Sequence, residues 1–443
     1  MRSSSSGAGL AFFYPQLKKL TGAQRLILML ARHTARAGAA VTLVTHRVAP
    51  EVRAALDPAV GLVETGRRVD RFGNHYLDAA LEYLLGPALL AAVPPGTAAV
   101  VFFGPPSLPA LWWARRRWGH ARPLLYFCYE PPRAAYTDRA LVARRFGPAA
   151  PLVATAARLY RPLDRAFARA ADAIFANGRY GQTLIRAAYG VEATILPHGV
   201  EHAPPTPAAV RAARTRWGIR DDQTTLLTVN QLHPRKRLDL CLRAVTAARA
   251  QGVAARALIA GDGAARGELE ALARALGLAG AVTFCGFVPD ADLPALYAAC
   301  DIYLHTGRAE SFGLSVLEAA ASGLPVVAVA EGGPLEILRD GETGLLVPPT
   351  PACLAAAIAA LARDPAAARA LGARARADVA ARYRWEDGAA EMLAALAGLR
   401  AENSGLSVSS SGGSPADAHA PGNPLSPESC EGVNQSCLGG TPP

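Results

Sequence analysis

The sequence predicts an α/β protein of two consecutive doubly wound domains, and three observations carry that reading. Short apolar runs alternate with longer stretches of helical period, the pattern of a parallel sheet with crossover helices. The alternation falls into two blocks around a junction at residues 201–207, where Pro204, Pro205 and Pro207 crowd together. The 443 residues, 51% of them hydrophobic, suffice for two cores and exclude a mini-protein, a disordered polymer and a collagen-like fibre.

In the first block the strands read as residues 10–14, 40–45, 98–103, 123–128, 173–176 and 193–196. Runs such as Leu10-Ala11-Phe12-Phe13 and Val100-Val101-Phe102-Phe103 hold no polar residue, as expected of strands covered on both faces. Helical periods fill the gaps, for example at 23–37 and 162–170. The second block opens at 224–229 and continues through 257–260, 282–285, 302–305, 326–329 and 344–347. Residues 350–400 are alanine-rich and helical, interrupted at Asp364-Pro365, with a closing helix near 389–399. From Ser404 on, Ser, Gly, Pro and Ala dominate, so 404–443 is expected to be a disordered tail, with Asn434-Gln435-Ser436 a chance sequon. The expected domains are 8–200, completed by a C-terminal helix near 384–400, and 201–383.

Charge is uneven along the chain. Lys and Arg outnumber Asp and Glu by 25 to 11 in residues 1–200, balance at 21 each in 201–400, and give way to four acids and no base beyond. An excess confined to one half points to an anionic partner there, a phosphorylated substrate or a membrane surface. Arg115-Arg116-Arg117, Arg144-Arg145 and the helically spaced Arg158, Arg161, Arg165 and Arg169 carry much of it, some beside Trp112, Trp113, Trp118, Phe146 and Tyr160. A solvated face and a face docking on an anionic membrane both fit these residues. No nucleic-acid-binding module accompanies the charge, so nucleic acid is not an expected partner. Seven cysteines without a C-x-x-C pair read as free thiols in a reducing compartment. With no uninterrupted apolar run of about 20 residues and a leader too short for a signal-peptide core, a cytoplasmic location, peripheral at a membrane, is expected.

The densest chemistry lies in the second block. Gly307-Arg308-Ala309-Glu310-Ser311-Phe312-Gly313-Leu314 follows a strand and opens a helix, so free backbone N–H groups, with Ser311 as a cap, offer an anion site. Glu310 in the loop and Glu318 in the helix can both face a ligand there, or can serve only the helix dipole and a solvated face. Upstream, Asn230-Gln231-Leu232-His233-Pro234-Arg235-Lys236-Arg237 leaves the block's first strand with three cations. They read as a diphosphate clamp or as a solvated cluster. Lys236 stands out because only three of the 46 cationic residues are lysines. Gly261-Asp262-Gly263 ends another strand in a turn that lets backbone approach a base or ribose. Glu331-Gly332-Gly333-Pro334-Leu335-Glu336 and Gly341-Glu342-Thr343-Gly344 mark further loops on the same edge.

In this order, Gln231 with Arg235-Lys236, Gly261-Asp262-Gly263, Glu310 with Glu318, and Gly332-Gly333-Pro334-Leu335-Glu336 resemble the family 4 retaining glycosyltransferases. The run Thr283-Phe284-Cys285-Gly286-Phe287-Val288-Pro289-Asp290, with Leu296-Tyr297 and Cys300-Asp301, matches the stretch that links the family's base-binding and sugar-binding loops. The likeness spans nearly all of residues 10–400. It implies the GT-B fold, two Rossmann-like domains facing a central cleft, the first acceptor-side and the second donor-binding. It further implies that Glu318 holds the ribose, Glu310 contacts the donor sugar and Lys236 meets the diphosphate. Phe312, Gly313 and Leu314 would cradle the sugar phosphate through their backbones, with Gly261, Gly263 and Val288 on the donor side. Gln231 stands where the family has arginine, a charge Arg235 is expected to supply.

The first block carries counterparts. Leu20-Thr21-Gly22-Ala23-Gln24-Arg25 resembles the family's Gly-Gly-Ala-Glu-Arg turn, which places Gly22 near the donor phosphates. Cys128-Tyr129-Glu130-Pro131-Pro132-Arg133 resembles a Cys-His-Glu-Pro-Pro-Arg segment, with Tyr129 in place of a histidine that touches the transferred sugar. Pro197-His198-Gly199-Val200-Glu201 resembles a Pro-Asn-Gly-Val-Asp crossover, where His198 is read as a structural loop residue. The implied reaction is metal-independent, with no cofactor besides a nucleotide-diphosphate sugar as donor and a glycan or lipid as acceptor. Mannose is the first candidate among hexoses. Two alternatives stay open: a sugar-nucleotide epimerase or hydrolase of the same fold, and a non-catalytic sugar-nucleotide binder.

Overall fold

The computed structural model describes residues 9–403 apart from 19–21, 70–71, 73–74, 137–142, 144–145 and 202–203. Thr21, Arg144, Arg145 and the 404–443 segment, all singled out above, lie outside the described residues. The chain divides into two compact units, one reaching Gly199 and taking in the segment from Arg384, the other running Val200–Tyr383.

In the first unit, strands β1 (Leu10–Phe13), β2 (Val41–Thr45), β3 (Gly61–Glu64), β4 (Ala99–Phe103), β5 (Leu124–Cys128), β6 (Ala173–Ala176) and β7 (Thr194–Ile195) pair in parallel, in the order β3-β2-β1-β4-β5-β6-β7. In the second, β8 (Thr224–Val229), β9 (Ala255–Ala260), β10 (Val282–Gly286), β11 (Ile302–His305), β12 (Val326–Val329) and β13 (Leu345–Val347) run in the order β10-β9-β8-β11-β12-β13. Both are doubly wound sheets. Each reverses direction beside its first strand, and ligands of such sheets bind past the carboxyl ends of the strands at that point.

Alternation along each strand explains why the runs are wholly apolar. On β4, Val100 and Phe102 enter one core while Ala99, Val101 and Phe103 enter the other. On β12, Val327 and Val329 enter one core while Val326 and Ala328 enter the other. Helices cover both faces, so neither alternate set meets water.

Two departures from expectation have physical causes. The edge strand β3 is unpredicted because Gly61-Leu62-Val63-Glu64 is half-buried or exposed and short. The helix expected from Pro162 runs Ala150–Ala168, with Pro162 inside it. Pro162 and Arg158 are both exposed, so water can take the Arg158 carbonyl that proline leaves unbonded. The closing helix runs Trp385–Asn403 and packs on helix Gly22–Arg36 of the first unit. Its start is gripped closely: a Cβ on Gly199 would meet the Trp385 nitrogen at 2.3 Å, and one on Gly388 the Pro197 carbonyl oxygen at 2.3 Å. Cys128, Cys241, Cys285 and Cys300 are free thiols, as expected for them.

Candidate functional site

The loops that leave β8, β11 and β12 meet at the reversal point of the second sheet. After β8, Pro234–Lys236 forms a short 3₁₀ turn capped by His233, and Arg237 adopts a left-handed conformation with φ 46° before helix Leu238–Ala250. Lys236 Nζ donates to Glu310 Oε1 at 2.8 Å, and Arg235 lies 3.9 Å from the same oxygen. The backbones are tied as well: Thr306 Oγ1 donates to the Lys236 carbonyl at 2.8 Å, and the Arg308 N–H to the Arg235 carbonyl at 2.9 Å. Arg237 is turned elsewhere. Its guanidinium bonds the Thr306 carbonyl and both Glu331 oxygens, so of the three cations expected in this loop only Arg235 and Lys236 stand at Glu310.

Burial would raise the Glu310 pKa, but Lys236, Arg235 and His305 together hold it down to about 2. The carboxylate is therefore an acceptor at any working pH. Next to it, helix Leu314–Ala321 opens from Gly313, which has φ 104° and no side-chain cap. Ser311, expected to cap that helix, falls two residues ahead of the N-cap. Phe312 is 5% exposed and its ring meets Tyr383 edge-on at 6.0 Å, so only its backbone can serve a ligand. Leu314 is half-buried at the first helical position.

Glycines hold these loops together. A Cβ on Gly333 would lie 1.7 Å from the Phe312 carbonyl oxygen, and the Gly333 N–H donates to the Glu310 carbonyl at 2.8 Å. Gly261 and Gly263 are close-approach positions toward the protein itself. Added Cβ atoms would meet the carbonyl oxygens of Asn230 at 1.9 Å and Leu232 at 2.4 Å, so these glycines admit the neighbouring loop's backbone. Gln231 is exposed on that loop. Val288 is 5% exposed and belongs to the apolar core, which leaves its backbone alone available.

Glu318 is buried, and its Oε2 accepts from the Tyr297 hydroxyl at 3.0 Å. Tyr297 is itself fully buried and packs 5.9 Å from the Tyr303 ring of β11. In the sequence Tyr297 is one residue of an apolar run, and its partner is fixed only by the packing of helix Leu293–Ala299. If Glu318 holds the ribose, Tyr297→Phe is expected to weaken nucleotide affinity by about tenfold or more, the value of one hydrogen bond to a charged group, and calorimetric titration with a nucleoside diphosphate checks it.

In the first unit, Tyr129 follows β5 and its hydroxyl lies 3.5 Å from the Ala23 carbonyl, so Tyr129 and the Gly22 end of helix Gly22–Arg36 come together at the sheet's carboxyl edge. Burial and the nearby Tyr14 raise the Tyr129 pKa well above 10, which leaves a neutral phenol able to donate. Glu130 pairs with Arg133. His198 is enclosed between Phe127 and Trp385, at 6.0 and 5.9 Å.

Buried His198 and His305 are held neutral, their pKa values lowered by burial to about 3 and about 4. Below pH 6.5 the unfolded chain binds protons that these folded groups refuse, so stability falls as pH drops from 6.5 through 4 to 3. Thermal unfolding between pH 7 and 4 should show that fall, and His305→Asn should flatten it.

Among the described residues no group of three His, Cys, Asp or Glu side chains is placed to hold a metal. Asp290-Ala291-Asp292 has the spacing of a metal-binding acid pair, and Asp292 pairs with Arg216 at 3.3 Å.

Comparison with known proteins identifies the family. The model of the "Glycosyl transferase 4-like domain" matches residues 21–199, and that of "Glycosyl transferases group 1" matches residues 210–378. The chain belongs to the group 1 glycosyltransferases. Its fold is GT-B: this glycosyltransferase chain superposes on sucrose-phosphate synthase from Thermosynechococcus elongatus with a TM-score of 0.68 at 22% identity, covering 89% of this chain and all of that one. Anabaena HepE in complex with UDP and glucose gives a TM-score of 0.66 at 20% identity, covering 88% of this chain and 100% of that one. A GDP-mannose-dependent alpha-(1-6)-phosphatidylinositol monomannoside mannosyltransferase of Mycolicibacterium smegmatis is 32% identical over 242 residues, 52% of this chain and 63% of the relative. A D-inositol 3-phosphate glycosyltransferase of Stackebrandtia nassauensis is 37% identical over 163 residues, 35% of this chain and 37% of the relative. This glycosyltransferase chain thus spans less than two thirds of the length of these curated relatives.

Proposed function

We propose that the protein transfers a hexose, mannose first among the candidates, from a nucleoside-diphosphate sugar to a glycan or lipid-linked acceptor, with retention of configuration and without a metal. The observation that carries the reading is Lys236 paired with Glu310, with Arg235 beside them, ahead of the helix that opens at Leu314. In this chemistry the bond between sugar C1 and the phosphate oxygen breaks while the acceptor oxygen bonds to C1 from the same face. The leaving diphosphate accumulates charge and takes the acceptor's proton. Fixed cations and backbone N–H groups stabilise that charge without reorganising. Glu310 offers its carboxylate to sugar hydroxyls and Glu318 to the ribose. Mannose is favoured because the Mycolicibacterium relative is GDP-mannose-dependent.

A thermal-shift screen with UDP, GDP and ADP, then the matching sugar nucleotides, identifies the donor. Release of nucleoside diphosphate that requires an added acceptor supports transfer. Turnover of the sugar nucleotide alone would instead indicate an epimerase or hydrolase, and binding without turnover a non-catalytic binder. Turnover unchanged by EDTA is expected.

The acceptor is read as lipid-borne, taken from an anionic membrane surface by the first unit. Helix Ala150–Ala168 leaves Leu152, Leu159 and Leu163 exposed by 74, 77 and 47%, and their spacing of seven and four puts them on one stripe. Helix Leu108–Trp118, packed against it, adds Trp113, 51% exposed, with Arg116 and Arg117. Arg115, Arg161, Arg165 and Arg169 each donate to a backbone carbonyl and Arg116 stacks over the Trp112 ring at 3.3 Å, so Arg117 and Arg158 are the cations best placed to meet lipid. No helix among the described residues is long and apolar enough to cross a membrane. Co-sedimentation with phosphatidylglycerol-containing vesicles should exceed that with phosphatidylcholine alone, and serine at all three leucines should cut it by at least about tenfold. Equal recovery with both vesicles would remove this role.

A further inference from the structure

His305, the last residue of β11, is fully buried, yet neither Nδ1 nor Nε2 has a hydrogen-bond partner. An imidazole left so costs on the order of 1–3 kcal/mol, whereas two of its polar neighbours are already engaged. Thr306, its neighbour, bonds the Lys236 carbonyl, and Arg237 bonds the Thr306 carbonyl and Glu331. The ring also faces the reactive edge. A Cβ on Gly307 would lie 2.9 Å from His305 Nε2 and 3.2 Å from Glu310 Cγ, so the imidazole and the Glu310 side chain flank one glycine that has room for neither to be displaced. The charged groups that act on the ring are Glu310, Lys236 and Arg237. Burial keeps it neutral, with one N–H to give and one lone pair to offer.

Lys236 cannot serve two anions equally. In the structure it holds Glu310 at 2.8 Å; a diphosphate carries more charge and presents more oxygens, so it draws the ammonium away. A half-buried carboxylate that loses its cation needs another donor. We infer that His305 is a positioning residue for Glu310: when a donor diphosphate engages Lys236, His305 Nε2–H takes one oxygen of the Glu310 carboxylate and leaves the other for the transferred sugar. No proton changes owner in this exchange, and the ring's empty hydrogen-bonding capacity is filled only when donor is bound. The inference rests on Glu310 as the contact to the donor sugar.

Calorimetric titration of the full chain with GDP and GDP-mannose, and with UDP and UDP-glucose, tests it. His305→Leu should keep the affinity for the recognised diphosphate within about twofold while weakening the matching sugar nucleotide by about tenfold, the worth of one hydrogen bond to a charged group. His305→Gln, which retains an N–H donor, should recover most of the loss. Equal weakening of diphosphate and sugar nucleotide, no weakening of either, or a glutamine variant no better than leucine at matched melting temperature would overturn the inference. Glu310→Gln separates the two levels of the argument. If it affects diphosphate and sugar nucleotide alike, the sugar-contact role fails and this inference with it; if it affects only the sugar nucleotide while His305→Leu affects neither, the inference alone falls.

Discussion

Lys236→Ala should lower kcat/KM by about 10²–10³-fold, the range seen when one preorganised electrostatic contact to a developing charge is removed. The side chain can be deleted cleanly because the Lys236 backbone is held independently, its carbonyl by Thr306 Oγ1 at 2.8 Å and its N–H on the His233 carbonyl at 2.8 Å. What disappears is the ammonium at Glu310. Burial then works on that carboxylate with only Arg235, at 3.9 Å, and His305 opposing it, so the Glu310 pKa climbs from about 2. Stability should fall on the order of 2–4 kcal/mol, as for a largely buried pair that loses one member. Lys236→Arg should rescue little, since a planar fork does not occupy the place of a compact ammonium. Steady-state kinetics with the identified donor, alongside urea denaturation, measure both effects. A kcat/KM within about threefold of the parent would show that Lys236 is a structural ion pair and no more.

Gly333→Ala is expected to act nearly as strongly, without touching a charged group. The Gly333 backbone, at φ −56° and ψ −36°, suits any residue, so conformation is not the obstacle. Space is. The new methyl would sit 1.7 Å from the Phe312 carbonyl oxygen, 2.2 Å from its carbon and 2.4 Å from its Cα, all backbone atoms that cannot rotate away. Segment 310–312 must move, the 2.8 Å bond from the Gly333 N–H to the Glu310 carbonyl breaks, and the carboxylate leaves Lys236. Overpacking of this kind costs about 1–3 kcal/mol, and nucleotide affinity should drop at least about tenfold. Gly252→Ala is the control: φ is +84° there and nothing lies within 4 Å of an added methyl, so it should cost about 1 kcal/mol and leave binding intact. Similar binding losses for both would mean that strain anywhere in the unit, and not the clasp on 310–312, sets affinity.

Most strands were legible because burial on both faces writes itself as an unbroken apolar run, as at Val326–Val329. β3 was not, since an edge strand that meets water on one side needs no such run. Pro162 misled because a helix tolerates proline where its orphaned carbonyl is exposed, and exposure is a property of the fold. In the site, the order of Lys236, Glu310 and Glu318 was readable through resemblance, and the 2.8 Å contact between the first two then follows from the strand order at the reversal point. Tyr297 and His305 escaped because each is one polar residue inside an apolar stretch, where the helical or strand period says "buried" and nothing about a partner. The glycines were recognised as close-approach positions; that Gly261 and Gly263 receive protein backbone needed the third dimension.

The way the last helix returns has a bearing on how the chain is made. Residues Val200–Tyr383 form one unit from an uninterrupted stretch, while the first unit needs Trp385–Asn403 to cover Phe127, His198 and the helix Gly22–Arg36. During synthesis the earlier-translated unit therefore waits, with an open apolar seam, until the later one has already emerged and folded. A released chain truncated after residue 383 should resist protease in its second half and yield in its first, the reverse of the order in which the two are translated.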